Sequence, residues 1–169
     1  MAEKELAEFG EVQTVKANLY DQRELENLVK TSWELLGGGV DALIWNAGNV
    51  RCEPCLLHET TYMDWLEAAA LHSVAPGYLT TLLVQTWLEK KMKGTLVYLN
   101  SVSVKEPMPP LVLADVTRAG LIQLAKSVSR TYGKRGGIRA YSVLLGSFDT
   151  PRCEGKPEKT GRGKGGRTL

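Results

Sequence analysis

The stretch Val40-Asp41-Ala42-Leu43-Ile44-Trp45-Asn46-Ala47-Gly48 decides how the rest of this chain is read. Five of its first six residues are apolar, with β-branched and aromatic members; Gly37-Gly38-Gly39 precede it and Asn49 follows. A short apolar run bounded by turn residues predicts a buried strand with a loop at its carboxyl end. In open α/β sheets ligands sit outside the carboxyl ends of the parallel strands, so an Asn-Ala-Gly turn here is placed to touch a cofactor. Three residues alone favour a plain connecting loop. The neighbouring segments decide.

Upstream, residues 1–9 are charged and helix-prone, with Gly10 as a stop. Val12 to Leu19 reads as a short strand. Asp21 is a good helix N-cap with Glu24 three residues on, and Leu25, Leu28, Val29, Ser32 and Leu36 then trace one helical face, giving a βαβ unit that ends in the Val40 strand. Downstream, Thr60 or Thr61 opens a helix that Pro76 interrupts and that continues through Leu79, Leu83 and Trp87 to the basic end Lys90-Lys91-Lys93. Thr95 to Leu99 is a third strand, closed by Asn100-Ser101. A helix from about Val112 to Tyr132 follows, and Gly136-Gly137 lead into a fourth strand, Ile138 to Leu145. The alternation predicts an α/β fold, a parallel sheet with helices on its faces.

With 169 residues and 43% hydrophobic content, the chain has material for one domain with a sizeable core. No run approaches the roughly 20 apolar residues of a membrane span, and the N-terminus lacks the apolar stretch of a signal peptide. A soluble, cytoplasmic protein with no membrane partner is the expectation. A net charge of +2 does not imply nucleic acid. Residues 152–169 carry Arg152, Lys156, Lys159, Arg162, Lys164 and Arg167 against Glu154 and Glu158, without an interleaved aromatic for base stacking. They read as a basic, solvated, disordered tail. Its GRGKGG string has no preceding strand and no Lys-Ser/Thr pair, so it is not a phosphate loop.

Four features in order resemble the short-chain dehydrogenases/reductases. They are Asn46-Ala47-Gly48 closing one strand, Ser101 closing the next, a helix with a basic residue at Arg118, and Leu145-Gly146 followed by Thr150-Pro151. The resemblance covers residues 1–151 and implies an incomplete, Rossmann-like, doubly wound parallel sheet, without the family's first two strands and last strand. It further implies an NAD(P)-dependent oxidoreductase, moving hydride between a nicotinamide ring and a carbonyl or alcohol carbon, with NAD or NADP as cofactor and a small-molecule substrate. In the family a tyrosine is the general acid or base, a lysine four residues later lowers its pKa, and a serine hydrogen-bonds the substrate oxygen. Here the catalytic candidates are Ser101, Arg118 and His72. The cofactor-lining candidates are Asn18, Asn46, Ala47, Gly48, Arg118, Gly146 and Thr150. The family's long helices pack across two-fold axes, which implies a homo-oligomer, a dimer or tetramer.

Three departures qualify the resemblance. Ala114 stands at the tyrosine position and Arg118 at the lysine position; alanine has no proton to give, and arginine stays charged. His72 falls where the family has a helix asparagine, so it is either a proton relay or a packed core histidine, and the packed role is favoured. The glycine-rich turn is missing, which implies that the family's first strand, first helix and second strand belong upstream of Met1. Asp115 is expected to cap its helix or to pair with Arg118. Cys52, Cys55, His58 and Cys153 are too weak a set to predict zinc, and no metal is expected; a loop disulfide or two free thiols is the plainer reading. A different class of function stands as the alternative: a catalytically inactive relative kept for oligomerisation or partner binding.

Overall fold

The computed structural model describes residues 6–146. The expected N-terminal helix lies mainly outside them; from Leu6 the chain makes a turn, with Phe9 N bonded to Leu6 O at 2.9 Å. The expected tail, Thr150 and Cys153 also lie outside the described residues.

Three parallel strands form the sheet: β1 (Ala42–Trp45), β2 (Gly94–Ser101) and β3 (Ile138–Leu145), in the order β1-β2-β3. Trp45 pairs with Tyr98, and Ser101 with Leu145. Helix α1 (Gln22–Leu35) precedes β1. Helices α2 (Tyr62–Ala69) and α3 (Ala75–Glu89) cross over from β1 to β2, and α4 (Val112–Thr117) and α5 (Gly120–Gly136) from β2 to β3.

The segment read as a strand at Val12 to Leu19 is not one: residues 11–18 have no regular structure. Alternation of side chains is a local property, whereas a strand also needs a neighbour for its backbone hydrogen bonds, and β1 is the edge of the described sheet. The βαβ units are therefore those that follow β1, and α1 is reached from an irregular segment. Its cap is as expected, with Asp21 Oδ1 accepting from Arg23 N at 2.8 Å and Glu24 N at 3.1 Å. Glu24 reaches further back, accepting from Asn18 N at 2.6 Å. The helix ends as Gly38 N donates to Trp33 O at 2.7 Å; Gly37 and Gly38 have φ of 65° and 86°, values that glycine adopts without strain.

Pro76 does not break its helix. A π-helical turn, Ala70–Val74, lies just before it, and Ala75 N bonds back to Ala70 O, so the ladder is rearranged without ending. The helix read from Val112 to Tyr132 is instead two helices, broken at Arg118-Ala119. Asn100 on β2 donates from Nδ2 to Arg118 O at 3.2 Å, and the backbone tightens there through Leu121 N to Arg118 O at 3.1 Å.

The core lies between one sheet face and the helices. Trp45, Leu96, Tyr98, Ile138 and Ala140 are buried against Leu79, Leu83, Trp87, Leu121, Ala125 and Val128. Within it Tyr98 Oη bonds Thr80 Oγ1 at 2.7 Å, and Thr80 Oγ1 donates to Pro76 O at 2.7 Å. Ser129 of α5 satisfies β3 at Ala140, accepting from its N at 2.9 Å and donating to its O at 3.0 Å. The opposite sheet face, with Ile44, Tyr141 and Val143, is exposed among the described residues. No helix among those residues is long and apolar enough to cross a membrane.

Gly94 starts β2 against the face of Trp87, which is 0% exposed and donates from Nε1 to Val40 O at 2.6 Å. A Cβ at position 94 would overlap the indole. Gly94→Ala is expected to destabilise the fold by about 1–3 kcal/mol through overpacking, read from urea denaturation midpoints.

Candidate functional site

The carboxyl ends of β1 and β2 lie side by side, which brings Asn46-Ala47-Gly48 beside Asn100-Ser101. Arg118 sits at the end of α4 and sends Nη2 to the carbonyl oxygen of Gly48. The absence of a side chain at Gly48 makes this approach possible, because a Cβ there would collide with the guanidinium.

His72 meets the same carbonyl from the π-helical turn. Its Nε2 lies 3.1 Å from Gly48 O and its Nδ1 lies 2.7 Å from Thr117 Oγ1. The ring is 1% exposed. Burial, and then the nearby positive charge of Arg118, lower its pKa from 6.5 to about 4. A neutral ring carries one hydrogen, and a carbonyl can only accept, so that hydrogen is on Nε2 and donates to Gly48 O. Nδ1 is then left as an acceptor facing the Thr117 hydroxyl, where it competes for the one hydrogen of that group with Leu113 O, to which Thr117 Oγ1 donates at 2.6 Å. Ser73, the next residue, donates to Thr117 O at 2.6 Å. The π-helical turn thus grips the end of α4 at two atoms of Thr117.

Ser101 is half-buried at the end of β2. Its N donates to Asn100 Oδ1 at 2.8 Å, and its Oγ accepts from Ser103 N at 3.2 Å. Asn100 also donates to Ser142 Oγ on β3 at 3.2 Å, so one amide ties β2 to β3 and to the helix break. Ala114 is buried, and its backbone N donates to Glu53 Oε1 at 2.6 Å. Asp115 neither caps its helix nor reaches Arg118; its Oδ2 accepts from Met108 N at 2.8 Å.

Of the residues singled out from sequence, Ser101, Gly48, His72 and Arg118 are joined through the β1 and β2 ends. Asn18 lies apart and exposed, its Oδ1 accepting from Tyr20 N at 3.1 Å. Gly146 follows β3 and is exposed. Thr117, Asn100 and Glu53 were not foreseen. Asn100 left a legible trace, since Leu96, Tyr98 and Asn100 form one alternating, buried row and only the asparagine needs polar partners. Cys52 and Cys55 are free thiols, and burial raises Cys55 to about 12. Among the described residues no three metal-ligating side chains converge.

Parallel strands joined by helical crossovers, with polar groups gathered at their carboxyl ends, define a Rossmann-type α/β domain. The short chain dehydrogenase family model matches residues 1–161, and the chain belongs to that family. It is 28% identical over 149 residues to a 3-oxoacyl-[acyl-carrier-protein] reductase of Synechocystis, covering 88% of this chain and 58% of the relative. It is 26% identical over 131 residues to a tropinone reductase homologue of Arabidopsis thaliana, covering 78% and 48%. A short chain dehydrogenase from Bacillus anthracis superposes with a TM-score of 0.75 at 18% identity, covering 84% of this chain and 59% of that one. A 4-hydroxyisoleucine dehydrogenase complexed with NADH superposes with a TM-score of 0.69 at 27% identity, covering 77% and 56%. The chain spans about half the length of the curated relatives it matches.

A histidine held neutral has a definite signature. Because its folded pKa lies below its unfolded value, the unfolded chain binds the extra proton between about pH 6.5 and 4, and stability is lost as pH falls through that window. The full effect is roughly 3 kcal/mol at about 1.4 kcal/mol per pKa unit. Urea unfolding at pH 7.5 and pH 5 is expected to show a larger acid loss in the parent than in His72→Asn.

Proposed function

We propose that this chain supplies the nicotinamide side of an NAD(P)-dependent oxidoreductase acting on a small carbonyl or alcohol substrate. The observation that carries the reading is the convergence on Gly48, which holds Arg118 beside the strand end that bears Ser101. The donor set fits a nicotinamide ribose. A guanidinium suits ribose hydroxyls, a serine hydroxyl suits the oxygen of the reacting carbon, and Asn46, Ala47 and Gly48 line the ring. Bound nicotinamide supplies or accepts the hydride. Family membership and a relative complexed with NADH support the cofactor class.

Each residue then has a role. Ser101 Oγ already accepts from Ser103 N, so its hydrogen serves a substrate oxygen. Arg118 binds and orients; it is always charged and transfers no proton. His72 is a positioning residue in this reading, because the Nε2 hydrogen is committed to Gly48 O. Gly146 extends the lining past β3, Thr150 is assigned to the cofactor by the family resemblance alone, and Asn18 serves the adenine end.

Ala114 leaves the proton step without the family's phenol. That one residue favours the second reading, a non-catalytic domain used for self-association or partner binding. Titrating NADH and NADPH into the full chain while following nicotinamide fluorescence separates the two. A rise on binding is expected, weakened about tenfold or more in Arg118→Ala, since a hydrogen bond to a charged group contributes about 1.5–3 kcal/mol. Turnover is expected below about 1 s⁻¹, at the low edge of ordinary enzymes. No fluorescence change at saturating cofactor would give the chain to the second reading.

The proposal includes a homo-oligomer built on the long helices, where Leu88 and Val116 are exposed, with Val74 on the turn before α3. Sedimentation velocity is expected to show a dimer or tetramer at high micromolar concentration. A clean monomer would remove this part.

A further inference from the structure

Cys52 and Cys55 stand in the loop after β1, and neither is among the residues that meet at the Gly48 carbonyl. Their side chains face each other closely enough to interact directly, and Cys52 also meets the Asp64 carboxylate. The loop that carries them is tied down along its length. Arg51 pairs with Glu67 at 3.1 Å, Glu53 Oε1 takes the Ala114 N–H at 2.6 Å, and Cys55 N donates to Pro110 O at 2.9 Å. A loop fixed at these points holds its two thiols together, which gives each a high local concentration at the other.

The two thiols differ in access. Cys52 is half-buried and lines a cleft of about 730 Å³ together with Tyr20, Arg51, Met63 and Glu67, whereas Cys55 is 6% exposed. Burial, and then the facing Cys52 side chain, push the Cys55 thiol up to about 12. A buried thiol that holds its proton so firmly is a poor first nucleophile, and the sulfur that opens on the cleft is the one an outside reagent meets.

We propose that Cys52 and Cys55 form a reversible dithiol–disulfide pair, in which Cys52 exchanges with a small disulfide of the glutathione class and Cys55 then closes the bond within the loop. The Cys52 thiol loses its proton to solvent, its sulfur attacks one sulfur of glutathione disulfide, and one glutathione leaves as the thiolate. The Cys55 sulfur, likewise deprotonated, attacks Cys52 Sγ in the mixed disulfide and releases the second glutathione. Two protein thiols are oxidised to one disulfide while one glutathione disulfide is reduced to two thiols, so atoms and electrons balance. The C-x-x-C spacing, with one accessible and one buried sulfur, suits such a pair.

The test incubates the reduced full chain with glutathione and glutathione disulfide at a series of ratios, blocks the remaining thiols with N-ethylmaleimide, and digests with trypsin. Cleavage after Arg51 and Lys90 places both cysteines in one peptide, residues 52–90, apart from Cys153. That peptide is expected unblocked and two hydrogens lighter than its dithiol form, and dithiothreitol is expected to restore the dithiol. It is expected to close at a ratio of glutathione disulfide to glutathione about tenfold or more lower than in the chain unfolded in urea. Cys55→Ser is expected to stop with one glutathione on Cys52, and Cys52→Ser to take up glutathione about tenfold or more slowly, because its remaining loop thiol is buried. A fully blocked peptide at excess glutathione disulfide, a parent chain that stops at the mixed disulfide, a bond from either cysteine to Cys153, closure no easier than in urea, or equal uptake by the two variants with the parent's circular dichroism spectrum would overturn the proposal. Should a variant fail to fold, the comparison of the folded with the unfolded parent chain decides it. No cofactor and no turnover enter the readout, so the outcome is independent of the oxidoreductase reading.

Discussion

The carbonyl oxygen of Gly48 is the point on which the site depends. A carbonyl has two lone pairs, and here one serves His72 Nε2 and the other Arg118 Nη2. The first donor comes from the π-helical turn between α2 and α3, the second from the end of α4. The loop after β1 is thereby tied to both crossovers by two hydrogen bonds. Glycine is required because the guanidinium occupies the space of a Cβ. The neutrality of His72 follows from the same arrangement, since two cations at one buried carbonyl would repel each other in a low-dielectric setting.

A second consequence concerns the missing phenol. Alanine at position 114 removes the side chain that in the family gives or takes the proton, and the neighbouring groups are committed elsewhere. Glu53 Oε1 takes the Ala114 backbone N–H, while Asp115 takes that of Met108. Both carboxylates hold the start of α4 and the loop before it, and so hold the helix that carries Arg118. The geometry around Arg118 is thus built by local hydrogen bonds that do not involve the side chain at position 114.

The sheet is covered by helices on one side only among the described residues. Its open face carries Ile44, Tyr141 and Val143, and both β1 and β3 are edges. Exposed apolar strands with unpaired edges invite association. Ser129 blunts one edge locally, by bonding both backbone groups of Ala140. Among the described residues no side chain does the same along β1.

The sequence by itself determined the α/β class, the three strands that pair, the Asp21 cap and the position of Ser101 and the Asn-Ala-Gly turn, and it narrowed the next cap to Thr60 or Thr61, of which the fold uses Thr61. These depend on periodicity and turn chemistry, which act within a few residues. Only the tertiary structure decided that Val12 to Leu19 is not a strand, since a ladder needs a neighbour that no local pattern supplies. It decided likewise that the helix after Pro110 breaks at Arg118, because the acceptor freed there is met by Asn100, 18 residues away. The protonation of His72 was illegible for the same reason: it is set by burial, by Thr117 and by a carbonyl 24 residues distant, groups that chain folding alone brings together.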